Sequence, residues 1–340
     1  STLLGEVPKS QEVDPTAYEV LLESRYMSRT GTPEGFLRSN ELADQALSLE
    51  PGYAEAWVIK AKNFSNMAEG GVLPREESYE LAREAAARAL EIAPEQAGPH
   101  SVTAWVALYY LNDLILAARH FERANELAPS DPGILSNAGA FLLRLRRFDR
   151  AIEVYEFVAE RNPVNAIAHF NLGQVYFAAR RFDDSAAAFQ AALELSPTFR
   201  SGHLWLSKAL LLGGDAVAAC EVANQESFEP FRILARALCT FELGEMEEAD
   251  ASVTWMMEKG ADKFPYDIAS VWAYRKDGER IAEWVRKSIE YKDNDIGDPV
   301  QDPLFDVVQD DPQWQTLMQA LGRSPAQLNS VQFDVMVPET

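Results

Sequence analysis

A period of 34 residues runs through the middle of this chain and restricts its fold more than any other feature. Asn137-x-Gly139 recurs as Asn171-x-Gly173, and Arg146-Arg147-Phe148-Asp149 recurs as Arg180-Arg181-Phe182-Asp183. Tyr155 answers to Phe189 and Pro163 to Pro197, so that 171 − 137, 180 − 146, 189 − 155 and 197 − 163 all equal 34. Self-similarity at this period marks stacked supersecondary units. Apolar and small residues recur at three- and four-residue steps on both sides of the Arg-Arg-Phe-Asp turn. That spacing predicts two amphipathic helices per unit.

The residue types in these slots resemble the tetratricopeptide repeat family, with His169, Leu172, Gly173, Tyr176, Phe189, Ala192 and Pro197 in the second copy. The resemblance implies an all-α fold, a right-handed superhelical solenoid of about eight helical hairpins closed by a C-terminal capping segment. Residues 1–15 read as a leader or linker, 16–296 as the solenoid, 297–328 as the cap and 329–340 as a strand-like tail.

Taken in order, a degenerate first repeat uses Tyr18 to Met27 and Phe36 to Leu49. The second begins at Ala54 and ends at Pro94, with an inner turn swollen by Ser65 to Tyr79. The third spans Ala97 to Pro129, and the two clean copies follow, the first of them opened by Asp131-Pro132, a good cap and first-turn pair. A sixth turns at Gly213-Gly214, a seventh covers Phe231 to Lys259 and an eighth Tyr266 to Tyr291. In Val331 to Val337 the apolar period switches to two, which predicts an extended segment that adds to a sheet, dangles, pairs with another chain or lies across the solenoid.

A narrower resemblance rests on short motifs at both ends. Leu3-Leu4-Gly5-Glu6, Asp14-Pro15-Thr16-Ala17-Tyr18, Gly71-Val72-Leu73-Pro74, Phe305, Trp314 and Gln332-Phe333-Asp334-Val335 carry it. They are similar to the repeat tail that follows a TolB-like domain in bacterial adenylate-cyclase-type and winged-helix regulators. That likeness implies the sensory or partner-binding part of a larger signalling protein, with its effector domain elsewhere.

Charge and chemistry narrow the function. The formal charge of −22 repels phosphate backbones and anionic lipid, so nucleic acid and membrane surfaces are not expected partners. A cytoplasmic home is favoured, a periplasmic one requiring a membrane span upstream. Cys220 and Cys239 fall in expected helix interiors and read as two buried free thiols. Gly70-Gly71 and Gly213-Gly214 lack the lysine of a phosphate-binding loop, and no nucleophile elbow or metalloprotease motif occurs. Asp293, Asp295 and Gly297 fail as a calcium loop, because Asp298 and Leu304 hold the positions that need glycine and an acid. His100, His169 and His203 share one repeat slot; neighbouring slots lie too far apart to share an ion, so they read as packing residues. Asn63-Phe64-Ser65 lies within an expected helix and reads as a chance glycosylation sequon. Neither catalytic residues nor a cofactor are expected.

What remains is the stripe that lines the concave groove in the resembled family, where peptides or partner helices bind. Mapped onto this chain it holds Trp105, Tyr109, Asn137, Arg144, Phe170, Asn171, Gln174, Phe177, Leu204 and Lys208. Asn137 and Asn171 share one slot, a short amide ladder suited to a peptide main chain, and the aromatics suit apolar anchors. The lysine-rich clamp some members use on a C-terminal carboxylate is missing, since Ser136, Ala140, Ser201 and Trp205 flank the ladder. The expected function is non-catalytic binding of a protein or peptide segment. The rivals are self-assembly, with the groove filled by its own chain or a homo-oligomer mate, and an enzyme with a site inside the superhelix.

Overall fold

The computed structural model describes residues 14–199, 201–290 and 300–338. Most of the leader and the acidic stretch weighed as a calcium loop therefore lie outside the described residues. The chain forms two compact units, Ser1–Ala128 and Pro129–Thr340.

Unit 1 holds α1 (Pro15–Arg29), α2 (Pro33–Leu49), α3 (Ala54–Glu69), α4 (Arg75–Ile92), α5 (Ala97–Tyr109) and α6 (Leu114–Leu127). Helices pack as consecutive antiparallel hairpins, α1 on α2, α3 on α4 and α5 on α6. Alanine makes the close approaches: Ala17, Ala43, Ala46 and Ala56 are buried with Leu21 and Ile59. The second repeat's turn is not swollen as expected. Helix α3 runs on to Glu69 and α4 starts at Arg75, so only residues 70–74 connect them. Gly71 takes a left-handed φ of 64°, and the chain reverses there.

Unit 2 continues with α7 (Pro132–Arg144), α8 (Phe148–Arg161), α9 (Ala166–Ala178), α10 (Phe182–Leu195), α11 (Gly202–Leu212) and α12 (Ala216–Ala223). Then come α13 (Glu229–Glu242), α14 (Met246–Lys259), α15 (Pro265–Tyr274) and α16 (Gly278–Glu290). A 3-10 helix (Pro303–Val308), α17 (Pro312–Ala320) and α18 (Pro325–Ser330) form the cap, in place of one final helix. Helix starts follow local chemistry. Asp131 accepts from the amides of Gly133 and Ile134, Asn165 from Ile167 and Asp215 from Ala218. Among the described residues, each of the eight hairpins turns on one residue with positive φ: Gly31, Gly71, Asn112, Arg146, Arg180, Gly214, Gly244 and Lys276. Four of these keep the 34-residue step (112, 146, 180, 214).

Two expectations change here. Cys220 of α12 and Cys239 of α13 form a disulfide, with Cα atoms 5.5 Å apart, where two free thiols were expected. Both do sit in helices, but antiparallel packing of α12 on α13 turns them toward each other. The tail carries no strand; residues 331–338 are extended, with Val331, Phe333 and Val335 buried and Gln332, Asp334 and Met336 exposed. The period of two was legible, and the segment lies on its own helices.

Candidate functional site

The expected binding stripe falls in both units, and each part stands by itself. In unit 1, Trp105 stacks on Tyr109 at 5.2 Å and meets Phe121 edge-on at 5.4 Å. In unit 2, α7 and α9 present Asn137, Arg144, Asn171 and Gln174 half-buried. Phe170 and Phe177 are instead core residues. Phe170 packs on Phe189, Phe199 and Trp205 at 5.3, 4.7 and 6.4 Å, and Phe177 meets Phe182 and Trp205. Leu204 is buried beneath Glu226, whose carboxylate accepts from its amide at 3.3 Å.

Lys208 has a partner of its own. Its ammonium lies 3.3 Å from the Asp302 carboxylate, both side chains almost wholly buried, and over the rings of Trp205 and Phe177 at 4.6 and 5.3 Å. Asp302 also accepts from the Tyr266 hydroxyl at 3.0 Å and from the Leu304 amide at 3.0 Å, capping the 3-10 helix. Arg180 grips Asp306 of that helix with Nε, at 3.1 Å, and with Nη2. Phe305 packs on Tyr266 at 5.4 Å and stacks on Trp314 at 5.7 Å. The 302–308 segment is thus seated on α11, α15 and the turn between α9 and α10.

The tail is seated too. Arg147 donates to the carbonyls of Phe333, at 2.5 Å, and Val331, while Arg150 donates to that of Val335 at 2.6 Å. Phe333 meets Phe141 of α7 edge-on at 4.9 Å. These arginines and Asp302 were missed in the sequence. Two neighbours in the turns are backbone-strained, Arg146 and Arg180 sitting at left-handed φ of 58° and 61° where glycine or asparagine is usual.

The histidine slot is structural. His100 Nε2 donates to the Pro94 carbonyl at 2.9 Å and His169 Nε2 to that of Pro163 at 2.9 Å. With Nε2 protonated, His100 Nδ1 accepts from His120 Nδ1 at 2.9 Å. Burial, and then the neighbouring His100, push the His120 imidazole below its ordinary value of 6.5. The unfolded chain therefore takes up that proton first as pH falls, and stability drops. We expect denaturant titrations at pH 7.5 and 5.5 to show a loss for the wild type that His120→Gln reduces; equal losses in the two proteins would refute it.

Asn63 is fully buried, donating to Ser39 Oγ and Asn40 Oδ1 at 2.8 Å each and accepting from Ser28 at 2.6 Å. Its amide has no room for a glycan. Among the described residues no group of three or more His, Cys, Asp or Glu is placed to hold a metal ion, and no helix is long and apolar enough to cross a membrane.

The hairpins match in sequence as well as in shape. Residues 106–156, 137–199 and 176–226 match the tetratricopeptide repeat family profile. This region carries tetratricopeptide repeats, and the chain has the all-α fold built from them. No curated protein matches the chain. Among solved structures, a human IFIT1 dimer with m7Gppp-AAAA is 14% identical, covering 81% of this chain and 71% of that chain at a TM-score of 0.56. A tetratricopeptide repeat protein from Parabacteroides merdae is 13% identical, covering 81% and 100% at 0.49. A thermophilic one from Thermus thermophilus is 19% identical, covering 57% and 99% at 0.47. Such repeats generally mediate protein–protein contacts.

Proposed function

We propose that this chain is a non-catalytic protein-interaction module whose first-helix stripe in unit 2 binds an extended peptide segment. One observation carries the reading. The stripe already holds a length of chain, through Lys208 on Asp302, with Arg180 of the adjoining α9–α10 turn on Asp306. Further up the stripe, Asn137, Arg144, Asn171 and Gln174 are half-buried polar groups suited to a peptide main chain. With Phe170 and Phe177 in the core, recognition there is polar rather than aromatic. The human neighbour is bound to m7Gppp-AAAA; a charge of −22 on this chain weighs against a nucleic-acid ligand.

The role we infer is the partner-binding part of a larger bacterial signalling or regulatory protein, supported by the motif resemblance at the two ends of the chain. The self-filled reading also has an observation behind it, since the 302–308 segment occupies the Lys208 end of the stripe.

Asn137→Ala with Asn171→Ala tests the stripe. Two lost main-chain hydrogen bonds should weaken capture of bound proteins from the source cell by about tenfold, with helicity unchanged. Undiminished capture by a folded double variant would remove these asparagines from the binding surface.

A further inference from the structure

The α7–α8 hairpin holds the tail in a manner that ordinary core packing does not require. Arg147 takes the carbonyls of Val331 and Phe333, two residues apart, and Arg150 takes the next in step, Val335. Between them the two guanidiniums read the main chain at every second residue, as a neighbouring strand would. The side chains of those same three residues turn inward and are buried. Arg150 also faces Asp334 at 3.9 Å, a loose contact, with Asp334 exposed.

This arrangement belongs to one hairpin alone of the two clean copies. The position of Arg150 is Asp184 in the next repeat (184 − 150 = 34), and there Arg181, just ahead of α10, is tied to Asp184 in its first turn at 2.7 Å. Arg147 itself recurs as Arg181, so of the tail's two partners it is Arg150 that departs from the repeat.

We propose that the α7–α8 face is a docking site for an extended peptide with apolar side chains at three alternate positions, and that residues 331–335 are its resident, displaceable occupant. These contacts ask little of the sequence. The arginines hold carbonyls, which every residue has, and the buried positions require only apolar character. A partner segment with the same alternation satisfies them equally well, so release of the tail opens the face. Phe141 lies one turn along α7 from Asn137 of the asparagine stripe, so the test is built on the two arginines and the tail rather than on the asparagines.

The experiment uses the full-length chain carrying Val331→Asp, Phe333→Asp and Val335→Asp, and a fluorescent peptide of residues 329–338 added in trans, read by anisotropy. The expected result is at least about tenfold tighter binding by the triple variant than by the wild type, whose own tail competes. Adding Arg147→Ala and Arg150→Ala should abolish it, and a peptide with Phe333 and Asp334 exchanged should not bind. A natively helical triple variant that ignores the peptide overturns the proposal. So does equal binding of the exchanged peptide, which would mean an unspecific apolar patch. A second variant guards against misfolding: Arg147→Ala with Arg150→Ala in the otherwise native chain should speed chymotrypsin cleavage at Phe333 by about tenfold, the arginines being partly exposed. An unchanged cleavage rate likewise overturns it.

Discussion

Replacing Lys208 by alanine is expected to lower the unfolding free energy of unit 2 by about 3–5 kcal/mol. The reason is what remains. Asp302 is buried with Lys208, and without the ammonium its carboxylate keeps only the Tyr266 hydroxyl and the Leu304 amide. An uncompensated buried charge costs more than the pair contributes. The rings of Phe177 and Trp205 also lose the cation beside them. Lys208→Met with Asp302→Asn removes both charges and keeps the capping acceptor, so it should recover most of the loss. Urea denaturation followed by circular dichroism reads both numbers. A single variant that unfolds within about 1 kcal/mol of the wild type would mean that the pair is solvated in solution.

Gly173→Ala is expected to cost about 1–3 kcal/mol, and Gly173→Leu more. A Cβ at residue 173 would stand 2.7 Å from both Cδ1 and Cε1 of Phe189, inside contact distance. The ring cannot yield. Phe189 is fully buried, with Phe170 at 5.3 Å and Trp205 at 6.0 Å, and densely packed interiors relax only by shifting backbone. At Gly139, its counterpart one repeat earlier, the added carbon would meet Tyr155 at 3.0 Å. That ring is fixed by its hydroxyl bond to the Ser136 carbonyl at 3.0 Å but starts farther away. Gly139→Ala should therefore be the milder change. Thermal melts that rank the two alanine variants the other way round would show that the repeats pack differently from one another at these glycines.

Gly173 also shows what a sequence discloses. The glycine, the aromatic sixteen residues on (189 − 173) and the proline stop recur in register, so the α7–α10 hairpins and their close approach were readable from one chain. Periodicity tells which face of a helix is apolar, not which distant segment covers it. Lys208 sits where the stripe faces a ligand in the resembled family, but its partner is 94 residues away and precedes a proline in the cap, where no repeat marks it. Phe170 and Phe177 carried the same ambiguity, since an aromatic in that stripe serves a ligand or a neighbouring helix equally well. Trp205 on α11 decided for the helix. For Cys220 and Cys239 the helices were foreseeable and their mutual rotation was not. The tail declared its alternation openly; Arg147, which holds it, looked like part of an ordinary turn, and nothing in the sequence marked Arg150.

The tail's place in the order of synthesis has a further consequence. Nearly all contacts in these hairpins join residues close in sequence, so α7 and α8 can form as soon as they emerge from the ribosome. The Arg147 bonds span 184 and 186 residues. At ordinary elongation rates those carbonyls are made roughly 10 to 40 seconds later. Through that interval the Phe141 face of a nascent chain has no tail of its own to hold. Closure in cis is therefore a late step, and until it occurs a segment of like alternation on a second chain competes for the same face, the more so the higher the local concentration of chains.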